Sequence, residues 1–97
     1  MAYKLSVKAE NDIHNAYLEG IRLFGVEQAE KYYAGLERAF EFLSDTPKAA
    51  RERLEITPPV RVHPYRSHII IYLIDNDDDV LILRVRHGRE DWNDNPV

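Results

Sequence analysis

The chain has 97 residues, no cysteine and a formal net charge of −4. This length fits a single domain, residues 1–97, with one modest hydrophobic core. The absence of cysteine excludes a disulfide framework, a thiolate zinc site and a cysteine nucleophile. The negative charge disfavours strong direct binding to nucleic acid, because such binding depends on cations that displace phosphate counterions.

The first half of the chain predicts a short strand and two amphipathic helices. Residues 3–7 alternate in hydrophobicity, as strands do. Apolar residues then recur at helical spacing over residues 9–24 and 29–43, with Gly25 between the two stripes at an expected left-handed position. The connection is so short that the helices must form an antiparallel hairpin, which Pro47 ends.

Three further strands are predicted at residues 60–66, 68–74 and 80–86, and the acidic turn DNDDD separates the last two. Strands joined by tight turns run antiparallel, and one helical hairpin can cover only one face of a sheet. The sequence therefore predicts a two-layer α+β fold in the order β-α-α-β-β-β, with the hairpin packed on one face of a mainly antiparallel sheet.

Alternation along the last two strands assigns their side chains to two faces. The set expected to meet the helices is Ile69, Ile71, Leu73, Leu81, Leu83 and Val85. The set expected on the outer face is His68, Ile70, Tyr72, Val80, Ile82, Arg84 and Arg86. An outer face that combines apolar, aromatic and arginine side chains has the composition of a protein interface.

Four aromatic residues on the helical stripes have two interpretations. Tyr17, Phe24, Tyr33 and Phe40 are first expected in the core, and alternatively line a groove that a partner helix fills. Tyr32 and Tyr33 are about 100° apart around the helix, so one of them should lie at the edge of the stripe.

Potential cations are concentrated near the end of the chain, at Arg84, Arg86, His87 and Arg89. Such a cluster could neutralise phosphate and transfer a proton, or it could contact a protein. Acidic residues that follow directly could instead pair with these cations in an internal network, and the sequence leaves both interpretations open. The histidines do not have the spacing of a metal site, so we expect no metal and no cofactor.

The order of elements and several stretches resemble the RelE/ParE superfamily of type II toxin–antitoxin toxins, most closely its ParE branch. The resemblance covers nearly the whole chain and is most specific in VRVHPYRSHIIIYLI and LILRVRHGREDW. It implies a toxin that inhibits DNA gyrase and that a ParD-like antitoxin holds inactive in a hetero-oligomer.

Together, the residues and the resemblance suggest two binding surfaces. The residues expected to contact the target or the antitoxin are Arg61, Tyr65, His68, Tyr72, Arg84, Arg86, His87, Arg89 and Trp92. The residues expected to line an antitoxin groove on the helices are Tyr17, Phe24, Tyr33 and Phe40. The N-terminal segment lacks a basic stretch followed by an apolar one, and the longest apolar run is too short to cross a bilayer, so we expect a cytoplasmic protein without membrane contact.

Two alternatives remain at this stage. The RelE branch is implied to cleave messenger RNA on the ribosome, and Arg61, Arg84 and His87 lie near comparable places, with the arginines neutralising phosphate and His87 as general acid. The chain departs from that pattern because it is acidic overall and has no lysine on its last two strands. The third hypothesis is an inactive toxin-like module that only binds an antitoxin.

Overall fold

A computed structural model describes residues 2–89 as two helices packed on a five-stranded sheet. The elements in chain order are β1 Tyr3–Leu5, α1 Val7–Phe24, α2 Val26–Asp45, β2 Glu52–Arg53, β3 Val60–Tyr65, β4 His68–Ile74 and β5 Val80–His87. The predicted α+β architecture with a helical hairpin is confirmed. Among the described residues, neither helix combines the length and apolar character that crossing a membrane requires.

The strands lie in the order β1-β5-β4-β3-β2. β1 runs parallel to β5, and the other three pairings are antiparallel. β2 was not predicted, because its two charged residues, Glu52 and Arg53, show no apolar alternation. It forms the edge of the sheet by pairing with the start of β3, so strand formation there depends on a neighbouring strand and not on local propensity.

The helical hairpin forms for local reasons. Ser6 caps α1, since its hydroxyl oxygen accepts a hydrogen bond from the backbone N–H of Ala9 at 3.0 Å. Gly25 separates the helices with a φ of +89° and a ψ of 165°. Residues with a Cβ rarely adopt a positive φ, and glycine does so without steric cost. α2 ends at Asp45, two positions before Pro47.

The main core lies between the helices and the sheet. Its buried residues are Ala9, Ile13, Leu36, Phe40, Leu43, Ile70, Tyr72, Val80, Ile82 and Val85. A smaller cluster on the other face of the sheet comprises Ile56, Val60 and Ile71, with Val62, Ile69 and Leu83 packed around it. The connection between β2 and β3 therefore contributes Ile56 to the cover of the outer face.

The predicted faces of β4 and most of β5 were wrong. Tyr72, Val80 and Ile82 are fully buried in the main core, whereas Ile71 belongs to the outer cluster together with Leu83. Of the β5 residues that belong to the two clusters, only Val85 lies on the face predicted for it.

A β-bulge explains why Val85, unlike the residues before it on β5, lies on its predicted face. On β4, Ile71 pairs with Arg84 while Tyr72 pairs with Ile82, so Leu83 is an extra residue on β5. An extra residue reverses the alternation beyond it, and Val85 therefore shares a face with Ile82. The apolar run of β4 could not have revealed its inner face, because both sets of alternating positions are apolar.

Candidate interaction surface

A long groove follows the helical hairpin, and we call it the helix groove. It consists of two adjoining cavities of about 480 Å³ each, which share Ile13, Tyr17 and Tyr33. The other residues that line it are Leu5, Glu10, His14, Ala16, Glu19, Gly20, Leu23, Phe24, Gln28, Ala29, Glu30, Tyr32, Leu36, Ser67, His68 and His87. The groove thus reaches from the helices to the ends of β4 and β5.

Three of the four aromatic residues that were expected on a groove line the helix groove. Tyr17 and Tyr33 contact each other edge to face, with ring centroids 6.0 Å apart, and Phe24 lies nearer the hairpin turn. Phe40 does not line it, because its side chain is 1% exposed and packs against Tyr3 in the core. The core expectation is confirmed for Phe40 and wrong for Phe24.

The tip of the hairpin carries apolar side chains that nothing in the described residues covers. Phe24 is 71% exposed, and Leu23 and Val26 are each 53% exposed. Gly25 turns the chain directly after Phe24, so the side chain projects beyond the last packed turn of α1. A continuous apolar surface of this kind is typical of a binding site for another protein.

The sheet end of the groove is built from aromatic rings and histidines. The Tyr32 hydroxyl lies 2.7 Å from Nδ1 of His68, and the His68 and His87 rings are 5.3 Å apart between centroids. Burial raises the pKa of Tyr32. Tyr65 packs edge to face on Tyr32 and lies over Gly35, where a Cβ would come within 1.8 Å of the Tyr65 hydroxyl oxygen.

These contacts revise the expected outward position of His68, because its ring faces α2 and the helix groove. The role of Tyr32 in holding that ring was not predicted from the sequence. The available signal was that the two tyrosines are adjacent, because neighbouring helix residues point about 100° apart. In the structure Tyr32 points toward the sheet, whereas Tyr33 is 40% exposed.

Arg61 and Tyr72 both bind the segment that follows α2. Arg61 donates a hydrogen bond to the carbonyl of Ala50 at 2.6 Å, and the Tyr72 hydroxyl donates to the carbonyl of Pro47 at 2.8 Å. Burial raises the pKa of Tyr72. Tyr72 therefore anchors the connection between α2 and β2, and it is inaccessible to a docking partner, contrary to expectation.

Arg84 is engaged at the edge of the sheet. Its Nε and Nη2 donate to the carboxylate of Asp12 at 2.6 and 3.0 Å, and the backbone N–H of Val85 donates to the same carboxylate at 3.0 Å. β1 pairs with β5 only as far as Ile82. The start of α1 satisfies the backbone groups of β5 that follow, and the Ser6 hydroxyl donates to the carbonyl of Leu83. Asp12 was not among the residues predicted from the sequence.

Two of the remaining predicted contact residues differ in their exposure. Arg86 is half-buried and pairs across the sheet with Ile69, which packs on the outer cluster, whereas Arg89 is exposed and its backbone N–H donates to Nδ1 of His87 at 3.1 Å. Trp92 lies outside the described residues.

Acidic residues of the DNDDD turn form a separate cluster. Carboxylate oxygens of Asp75, Asp77 and Asp79 lie within 4.8 Å of one another. The ammonium of Lys4 lies 2.9 Å from Asp75 and 3.1 Å from Asp77. These hydrogen bonds lower the pKa of Asp75 and raise that of Lys4, so the turn binds a cation supplied by the chain itself.

The residues proposed for RNA cleavage are spread along the sheet. Arg61 lies opposite Tyr72 of β4, whereas His87 lies opposite His68, four residues away along that strand. Four residues of strand span about 13 Å. The guanidinium of Arg84 is bound by Asp12 at the sheet edge, so the described residues do not bring these three side chains to one phosphate.

Comparisons with known proteins agree with this fold. The family model described as ParE toxin of type II toxin-antitoxin system, parDE, matches residues 3–92. Toxin ParE1 of Mycobacterium tuberculosis is 29% identical over 93 residues, which cover 96% of this chain and 95% of that protein. Toxin ParE3 of Caulobacter vibrioides is 32% identical over 65 residues, which cover 67% of this chain and 64% of that protein.

A solved structure described as the chromosomal ParDE TA system from P. aeruginosa has a similar fold. It matches with a TM-score of 0.77 and 21% sequence identity, over 90% of this chain and 95% of that chain. The family match covers most of the residues from which the helix groove and the sheet are built. The chain therefore belongs to the family of ParE toxins of type II toxin–antitoxin systems.

Proposed function

We propose that this ParE-type toxin inhibits DNA gyrase and is neutralised by a ParD-like antitoxin, with which it forms a hetero-oligomer in the cytoplasm. The observation that carries the antitoxin part is the helix groove, whose two cavities of about 480 Å³ each are lined by exposed apolar and aromatic side chains. An amphipathic helix binds such a groove through residues at helical spacing. Gyrase as the target follows from the resemblance to the ParE branch.

The arrangement of cations favours protein docking over RNA cleavage. Phosphoryl chemistry requires preorganised charges that converge on one reacting group. Arg84 instead binds Asp12, and Arg61 binds the carbonyl of Ala50. The ribosome-dependent nuclease is the second candidate, and its support is the resemblance of the chain to the RelE/ParE superfamily.

Two assays run in parallel test the proposal. The purified toxin is added to gyrase with relaxed plasmid, and supercoiling and cleaved DNA are measured. The same preparation is added to translating ribosomes, and message cleavage is mapped by primer extension. We expect inhibition with accumulated cleaved DNA in the first assay, reversal of it by the antitoxin, and no cleavage in the second.

Matched variants distinguish the two activities within one growth assay. Changing His87→Ala would abolish a nuclease, since loss of a general acid typically costs about two to four orders of magnitude in rate. A docking surface should respond to Arg86→Ala at least as strongly as to His87→Ala. Arg84→Ala is a poor probe because it also breaks the contact with Asp12. Selective loss of toxicity on changing His87, with normal circular dichroism, would favour the nuclease.

Inactivity in both assays would support the third hypothesis. In that case the chain would bind an antitoxin through the helix groove without poisoning a target. Retained antitoxin binding by the inactive protein would separate this result from simple misfolding.

A further inference from the structure

The outer face of the sheet, which points away from the helices, carries a mainly apolar surface. Val60 and Ile71 are fully buried there, and Val62, Ile69 and Leu83 pack around them. Within residues 2–89, the connection between β2 and β3 contributes one apolar side chain to this cluster, and the other members all belong to strands. An apolar face of this kind is stabilised by further cover, from another part of the chain or from a partner.

Arginine side chains lie among these apolar residues. Residues directly opposite each other on neighbouring strands share a face of the sheet. Arg86 lies opposite Ile69, and Arg53 lies opposite Val60. Both arginines therefore belong to the outer face.

The charge on the outer face has one sign. Arg84 adds a third arginine, because it lies opposite a residue of the outer cluster, although its guanidinium also reaches Asp12 at the sheet edge. Glu52 is the one acid within the described strands, and it shares the helix-facing side with Tyr72, because both lie opposite Arg61. The described strands thus place positive and no negative charge on the outer face, which favours an occupant that carries carboxylates.

The C-terminal segment, residues 90–97, has the complementary composition. It contains three acids, Glu90, Asp91 and Asp94, and no lysine or arginine. It also contains Trp92, the single tryptophan of the chain. An acidic segment with one large aromatic side chain matches a face that is apolar and positively charged.

The segment begins within reach of this face. β5 is followed by a turn at Gly88 and Arg89. Trp92 lies three residues after Arg89, which corresponds to about 10 Å of extended chain. The outer face likewise extends about 10 Å along β5 from Arg86 to Leu83. A chain that reverses at this turn can therefore bring the indole over the outer cluster.

We propose that residues 90–97 fold back over the outer face of the sheet, where Trp92 packs on the apolar cluster and the three acids face the three arginines. The cations near the end of β5 then pair within the chain, and a protein partner that docks on the outer face has to displace this segment. The inference depends neither on gyrase nor on an antitoxin.

Charge selects the outer face over the helix groove. The groove is also apolar, but its lining includes three acids, Glu10, Glu19 and Glu30, which repel an acidic segment. Covering a tryptophan side chain removes roughly 150–250 Å² from water. The segment is tethered to β5, so its effective concentration at the face is on the order of millimolar and no second molecule has to be recruited.

Nuclear Overhauser contacts from the Trp92 indole protons locate the segment in the full-length toxin. We expect contacts with the methyl groups of Val62, Ile69 and Leu83. Contacts with Leu23 at the tip of the hairpin would place the segment in the helix groove and overturn the inference. The absence of contacts between the indole and any methyl group of residues 2–89 would overturn it as well.

Matched charge variants test the cause through acrylamide quenching of the single tryptophan. The tail variant carries three changes, and the control carries three on exposed acids of α2: Glu90→Gln, Asp91→Asn and Asp94→Asn against Glu30→Gln, Glu41→Gln and Asp45→Asn. Each lost ion pair should raise the ratio of uncovered to covered indole about 1.4- to 5-fold in the tail variant. Equal quenching of the two variants would overturn the charge complementarity on which the inference rests.

A mixed sample of isotope-labelled and unlabelled toxin distinguishes the segment of the same chain from that of a second copy. We expect the contacts of Trp92 to arise within one molecule at every concentration. Contacts between labelled and unlabelled molecules would show that a second copy fills the face, and would overturn the inference. Circular dichroism verifies that each variant is folded.

Discussion

Replacing Asp12 with alanine should destabilise the fold, although Asp12 is not part of the core. The Asp12 carboxylate accepts three N–H groups, two from Arg84 at 2.6 and 3.0 Å and one from the backbone of Val85 at 3.0 Å. The side chains of Arg84 and Asp12 are only 18% and 16% exposed. Asp12→Ala therefore removes the acceptor for a partly buried guanidinium and for a backbone N–H.

The magnitude follows from the cost of breaking such a pair. Removing one partner of a buried ion pair costs about 3–5 kcal/mol. Water can reach the remaining exposed fraction of these side chains, so we expect a loss of about 2–3 kcal/mol in the free energy of unfolding. Arg84→Met should cost less, because Asp12 would still bind the N–H of Val85.

Urea unfolding of the purified toxin, followed by circular dichroism, measures these losses. The double variant Asp12→Ala with Arg84→Met should lose less stability than the sum of the single variants, with a coupling free energy of about 0.5–3 kcal/mol. Asp45→Ala is the control, since Asp45 is exposed at the end of α2, and should change stability by less than about 0.5 kcal/mol. If Asp12→Ala also stays within that limit, or if the coupling is zero, the structural role assigned to this pair is wrong.

Three further predictions concern contacts made by residues of the sheet and its turns. Tyr72→Phe removes a buried hydrogen bond of 2.8 Å to a backbone carbonyl and should lower the free energy of unfolding by about 0.5–1.5 kcal/mol in urea. Gly35→Ala would place a Cβ 1.8 Å from the Tyr65 hydroxyl oxygen, and displacing that ring should lower the melting temperature despite the better helix propensity of alanine. Lys4 lowers the folded-state pKa of Asp75, so this contact stabilises the fold above the ordinary aspartate pKa of about 4 and its contribution is lost as the pH falls through the lowered value. Lys4→Met should raise that pKa in an NMR titration of the carboxyl group; an unchanged pKa would contradict the assigned cause.

The sequence by itself was sufficient for the helical hairpin. Its two stripes and Gly25 are local signals, and each helix begins and ends within about three residues of its predicted bounds. The resemblance to ParE toxins also came from sequence, because it depends on the order of elements and on short stretches that need no contact to be recognised. The same stripes allowed a groove to be assigned to Tyr17, Phe24 and Tyr33.

Tertiary structure decided which side chains of the sheet are accessible. The extra residue Leu83 on β5 reversed the alternation, and the apolar residues of β4 gave no local clue to its inner face. Tyr72 of β4 lies in the core instead of on a docking surface. A one-residue shift moves a strand residue to the opposite face, so a pattern of period two cannot reveal a bulge that depends on the pairing of two strands.

The same limit applies to the pairs that define the site. Asp12 and Arg84 are 72 residues apart in the chain, and Tyr32 and His68 are 36 apart. Sequence identified Arg84 and His68 as candidate contacts but not the groups that hold them. Composition and periodicity report the preferences of neighbouring residues, whereas the partner of a charged side chain is determined by where the helices cross the sheet, and only the folded chain brings those residues together.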